Sequence, residues 1–182
     1  MNKVTEQICM NGLHGVEEAF VRMDVMIRNQ LQPGDLGWIL YRHGIGYAAE
    51  EQYDYTFEKE IAESIVRFVD LYQQDKGSIW VAEHEGHIAG TVAVHTEDEN
   101  EADIRWIMVL PEYRGLGIGS RLMTHALDYC RNKKIQAVHC RDVSEHSPGI
   151  PLYVRNGFTM ISQEYVSKWG HGWLSRHYVL YL

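Results

Sequence analysis

The chain has 182 residues, 45% of them hydrophobic and 23% charged, an ordinary balance for one globular domain or one domain with a short arm. Its formal net charge of −8 disfavours phosphate-rich partners such as nucleic acid and anionic membrane surfaces. Three cysteines (Cys9, Cys130 and Cys140) with no Cys-x-x-Cys spacing read as reduced thiols. No apolar run reaches the roughly 20 residues of a membrane span, and the first ten residues lack a signal-peptide core. A cytoplasmic location is expected.

In chain order, Val16, Phe20, Met23 and Ile27 lie three or four apart, which predicts an amphipathic helix in an N-terminal arm over residues 1–33. The arm ends at the turn signal Gln32-Pro33-Gly34-Asp35. Leu36 to Tyr41 reads as a strand, and Tyr53 to Tyr72 as a helix with Phe57, Ile61, Ile65, Phe68 and Tyr72 on one face. Ser78 to Glu83 and Ile88 to His95 form a hairpin around Glu85-Gly86, with His84 and His87 facing each other. Ile104 to Leu110 is a buried central strand. A helix follows, with Ile118, Leu122, Ala126, Leu127 and Cys130 as its stripe and cations near its end. Ile135 to Cys140 is a strand, and Ser147 to Asn156 a short helix stopped by Gly157. Phe158 to Lys168 and His177 to Leu182 are the last strands, joined by a loop containing Trp169 and Trp173. Trp38, Trp80 and Trp106 are expected in strands, as core. The order predicts a mixed α/β (α+β) domain over residues 34–182, with one largely antiparallel sheet flanked by helices.

The strongest chemical signal is Pro111-Glu112-Tyr113-Arg114-Gly115-Leu116-Gly117-Ile118-Gly119-Ser120, a strand-to-helix junction with three alternating glycines. Glycines let backbone N–H groups converge, and the helix N-terminus adds unpaired donors, so the junction predicts an anion site suited to pyrophosphate. Ser120 breaks the dinucleotide fingerprint, and no Gly-Lys-[Ser/Thr] follows.

Arg114-x-x-Gly117-x-Gly119 resembles the acetyl-CoA loop of GNAT-superfamily N-acetyltransferases. Leu152-Tyr153-Val154-Arg155-Asn156-Gly157-Phe158 is similar to a second segment of that family. Gly34 to Gly44 is similar to the start of the acetyltransferase domain fused to MarR-type regulators. The resemblance implies that Arg114, Gly115, Leu116, Gly117, Ile118 and Gly119 hold the pyrophosphate and that Met108, Val109 and Leu110 pair with the pantetheine arm. It also implies that Tyr153 protonates the leaving thiolate. His146 stands where relatives carry an asparagine that contacts the cofactor, and Pro151 is expected to shorten or distort the short helix.

For the base, the resemblance offers a carboxylate on the strand before the loop, here Asp103 or its neighbour Glu101; both also fit a solvated acidic turn. In the family fold, Glu50, Glu51, Trp169 and Trp173 border the acceptor cleft. The four acids among Glu50, Glu51, Asp54 and Glu58 favour a cationic or zwitterionic amine. The expected function is acetyl transfer from acetyl-CoA to a primary amine of a small molecule or peptide, without a metal. The alternative is a non-catalytic acyl-CoA sensor or scaffold. The chain is expected to act on its substrate without nucleic-acid or membrane partners, as a monomer or a homodimer.

Overall fold

The computed structural model describes residues 24–96, 98–143, 147 and 149–182. Of the predicted helix of Val16, Phe20, Met23 and Ile27, the first three positions lie outside the described residues, and Ile27 lies in a strand rather than a helix. Seven strands form one sheet in the order β1-β2-β3-β4-β5-β7-β6. They are β1 (Val25–Arg28), β2 (Gly77–His84), β3 (His87–His95), β4 (Glu101–Val109), β5 (Ala137–Asp142), β6 (Thr159–Lys168) and β7 (His171–Tyr181). Every neighbouring pair is antiparallel except β4 with β5, which is parallel. The helices are α1 (Asp35–Glu51), α2 (Thr56–Gln73), α3 (Ile118–Asn132) and α4 (Gly149–Arg155). This is the mixed, largely antiparallel architecture the residue pattern predicts.

One face of the sheet packs on α3. Leu122, Met123 and Ala126 are fully buried against Val92, Val94 and Val138. The other face packs on α1 and α2, where Ile39 and Phe68 close over Ile79, Val81 and Trp106.

Three elements differ from expectation. Leu36–Tyr41 is the first half of α1, not a strand. Only Ile39 of that stretch is fully buried, and His43 follows it one turn later on the same face, so the period is helical. Gly34, at φ 102°, starts the helix, and Asp35 is buried in a bidentate pair with Arg28 at 2.7 and 2.8 Å. Trp38 is therefore helical, whereas Trp80 and Trp106 lie buried in strands as expected. Val25–Arg28, inside the predicted arm, is β1, and it pairs with Val81–His84 of β2. The last strand begins at His171 rather than His177, because Trp169 (φ 54°) and Gly170 (φ 94°) make a tight left-handed hairpin turn. The hairpin at Glu85-Gly86 forms as predicted, with His84 opposite His87.

Candidate active site

β4 and β5 pair only from Glu101↔Ala137 to Ile104↔Cys140. Beyond that point β4 runs on to Val109, bent by a bulge at Trp106 with φ 48°, and the two strands part. Their separation opens a cleft of about 870 Å³ that continues past α4 to the β6–β7 hairpin.

At one end of the cleft is the glycine loop. Gly115 (φ 80°) and Gly117 (φ 76°) adopt conformations that L side chains rarely take, and no atom lies within 4 Å of where a Cβ would stand on either. Gly117 caps α3, whose first internal hydrogen bond runs from the Arg121 N–H to the Gly117 carbonyl. The amides of Ile118, Gly119 and Ser120 are thus the free donors of a helix N-terminus, at the positive end of its dipole. Met108, Val109, Leu110, Arg114, Gly115, Gly117, Ile118 and Gly119 all line the cleft. Leu116 does not line it and is half-exposed. His146 lies outside the described residues.

In the middle of the cleft, Tyr153 projects from α4, 5% exposed. Its ring packs on Tyr178 and Phe158 at 5.6 and 6.0 Å. Burial, reinforced by nearby Cys140 and Asp142, holds its phenol well above the ordinary tyrosine range. It is therefore a protonated donor at neutral pH. Pro151 leaves α4 intact, because it falls in the first turn, where its missing N–H has no helical partner anyway.

Asp142 is a site residue that sequence reasoning missed. It ends β5 just past the last β4–β5 pair, is 4% exposed and lines the cleft. Its charge raises the pKa of Tyr47 and Tyr153, both of them also in the cleft wall. No motif spacing marks it. The only sequence signal is an acid at the end of a strand shortly before the tyrosine segment. Asp103, by contrast, is not in the cleft wall. Its carboxylate stands 3.8 Å from Arg105 and 3.5 Å from Arg141 as their counter-ion.

The far end is aromatic. Tyr53, Phe57, Trp169 and Trp173 form a small core of their own, with Trp169 and Trp173 stacked at 4.7 Å. The Tyr53 hydroxyl donates to the Val143 carbonyl. The Asp54 N–H donates to the Trp169 carbonyl at 3.0 Å, and the His171 ring meets the Glu51 carbonyl at 2.7 Å. The β6–β7 turn is thereby fastened to the α1–α2 connection. Trp169 and Trp173 line the cleft, while Glu51 does not. Glu50 lines it at the opposite end, where Arg114 holds its carboxylate at 3.0 Å. The acidic rim expected from Glu50 and Glu51 therefore does not face the two tryptophans.

A parallel pair of splayed strands, a glycine-rich helix N-terminus and a buried tyrosine between them define an acyltransferase site of the GNAT type. The acetyltransferase (GNAT) family model matches residues 46–158, and the chain belongs to that family. Among curated proteins it is 37% identical over 97 residues to an uncharacterised N-acetyltransferase of Archaeoglobus fulgidus, covering 49% of this chain and 64% of that protein's length. Among solved structures it resembles an acetyltransferase from Streptococcus agalactiae (TM-score 0.71, 20% identity, 87% of this chain and 98% of that one). A GNAT-family acetyltransferase from Elizabethkingia anophelis, solved with acetyl-CoA bound, matches with a TM-score of 0.61 at 15% identity over 87% of this chain and 98% of that one. No helix among the described residues is long and apolar enough to cross a membrane.

Proposed function

We propose that the protein is a cytoplasmic N-acetyltransferase that moves the acetyl group of acetyl-CoA to a primary amine of a small molecule or peptide. The observation that carries this is the placement of Tyr153, a buried proton donor, between the glycine loop and the aromatic end of a single cleft. The loop amides at the α3 N-terminus suit a pyrophosphate. Past Ile104 the β4 edge that faces away from β3 has no pairing with β5, and over Ile107–Val109 it can offer hydrogen bonds to an extended amide-bearing arm lying in the split.

In the transfer, the amine nitrogen attacks the thioester carbonyl carbon and the carbon–sulfur bond breaks. The Tyr153 hydroxyl gives its proton to the leaving sulfur. The incoming ammonium loses two protons: the first goes to a carboxylate in the wall before attack, and the second leaves the nitrogen of the tetrahedral adduct and returns, through water, to the tyrosinate, which restores Tyr153. We assign the carboxylate's role to Asp142, acting through water, rather than to Asp103, which does not line the cleft and is paired with Arg105 and Arg141. The low-dielectric surroundings of both groups strengthen their effect on the reacting atoms.

The test is calorimetry with acetyl-CoA on the wild type and on Gly117→Glu and Gly119→Glu. The space beside Gly117 is open, so a side chain there costs only the roughly 1–2 kcal/mol of its left-handed φ, and a Cβ on Gly119, which has no such φ, would make only ordinary contacts with Leu152 and Val109 at 3.6 and 3.7 Å; circular dichroism checks that both variants are folded. The new carboxylate occupies the pyrophosphate position and repels it. Binding by wild type and its loss in both folded variants is the expected result. Unchanged affinity in the variants would remove the loop from the cofactor site.

A further inference from the structure

Beyond Tyr153 the cleft runs along the face of the sheet that looks toward α2. Its floor carries two arginines on neighbouring strands, Arg105 of β4 and Arg141 of β5, just past the Ile104↔Cys140 pair. Asp103 lies within 4 Å of both, one carboxylate between two guanidinium groups. This group of three carries a net charge of +1, with Asp142 and Glu164 as separate acids of the cleft and Glu60 paired to Lys168. The Nε of Arg105 is buried and has no hydrogen-bond acceptor among the described residues. The same holds for the indole N–H of Trp173, a side chain only 3% exposed in the wall of the same cleft. Its stacked neighbour Trp169 differs, since its N–H reaches Glu60 at 3.2 Å. A buried donor left without an acceptor costs on the order of 1–3 kcal/mol, and a ligand oxygen relieves that cost.

We infer, on top of the acetyl-transfer reading, that the acceptor is a free amino acid with an apolar side chain, its carboxylate taken by Arg105 and Arg141 and an oxygen held by the Trp173 N–H. A carboxylate matches the planar fork of a guanidinium and neutralises the one residual charge. A phosphate dianion fits less well, because Glu60 and Glu164 line the same end. Glu60 is held by Lys168 and the Trp169 N–H, and the ammonium group of the zwitterion points the other way, toward Tyr153 and Asp142, where the acetyl group arrives. Phe57, Ile61 and Val166 supply the apolar surface for the side chain. The acceptor is thus a zwitterion, selected by cations on the floor rather than by acids on the α1 rim.

The experiment uses the full chain loaded with CoA, which cannot transfer an acetyl group, so binding is read without turnover. Phenylalanine, phenylalaninamide and phenethylamine are titrated by calorimetry, and leucine and isopentylamine serve as a second set. The free amino acids bind at least about 10-fold more tightly than the amide or the amine, as loss of a charge-assisted hydrogen bond implies. Arg105→Gln and Trp173→Phe each erase most of that preference. Arg141→Gln, on a half-exposed side chain, does so without endangering the fold, which retained CoA affinity verifies. Equal binding of amine and amino acid, equal losses for all three ligands in the variants, or no binding of any amino acid overturns the inference. A protein that binds CoA but shows no carboxylate preference leaves acetyl transfer standing. One that does not bind CoA takes both readings down together.

Discussion

Replacing Tyr153 with phenylalanine removes one oxygen from the cleft and little else. The ring keeps its contacts with Tyr178 and Phe158, and α4 keeps its anchor in the core. Stability should change by no more than about 1 kcal/mol, the net worth of one hydrogen bond. The chemical step loses its proton donor, and a general acid is worth roughly 10²–10⁴-fold. A 10²-fold loss corresponds to about 2.7 kcal/mol of transition-state stabilisation. The expected result is a kcat for thiol release lowered at least about 100-fold, with acetyl-CoA affinity by calorimetry unchanged. The pH profile sharpens the test. An acid limits the rate only as pH rises through its own pKa, and burial raises that of Tyr153 well above 10. The wild-type rate should therefore show no descending limb from this group up to pH 10. A variant within about threefold of wild type in kcat, or a wild-type downturn well below pH 10 that Tyr153→Phe abolishes, would refute the argument.

Asp142→Asn keeps the shape of the side chain and removes its charge; kcat should fall at least about 10²-fold with acetyl-CoA affinity retained, and full activity would return the base role to another group. His43 gives a stability prediction. It is fully buried in α1, and burial lowers its pKa from 6.5 to about 4. The unfolded chain binds this proton first as pH falls, so stability is full above pH 6.5 and is lost on descending toward 4. The loss should reach about 2–3 kcal/mol by pH 4.5, measured by chemical denaturation. His43→Leu should flatten that slope, and an unchanged slope would locate the titration elsewhere.

What the sequence made legible was local chemistry. The glycine loop declares itself because φ near +80° at Gly115 and Gly117 admits few other residues. The stripe of α3 and the turn at Glu85-Gly86 are equally self-contained. Helix α1 is hard to read from sequence because Gly44 and Gly46 interrupt its inward side, leaving a short hydrophobic run, Leu36–Tyr41, that looks like a strand. The turn at Trp169 was missed because tryptophan carries no preference for positive φ; the aromatic cluster around it imposes the conformation. Asp142 and Glu50 owe their roles to tertiary contacts. The first depends on where two strands part, the second on an arginine 64 positions away. No spacing rule encodes either.

The strand order has a consequence for how the chain reaches this structure. β7 is made after β6 yet lies between β6 and β5. Until β7 inserts, β5 is an open edge with the apolar Val138 and Cys140 beside it, and β6 has no partner strand at all. Assembly of that half of the sheet must therefore wait for the last strand, through pairings such as Ala137↔Tyr181 that close long loops and form slowly. During synthesis the nascent chain passes through a stage in which the half of the sheet that carries the glycine loop is formed and the β5 side is an unfinished, adhesive edge. That interval is when the protein is most exposed to aggregation, and a chaperone that shields strand edges would act there.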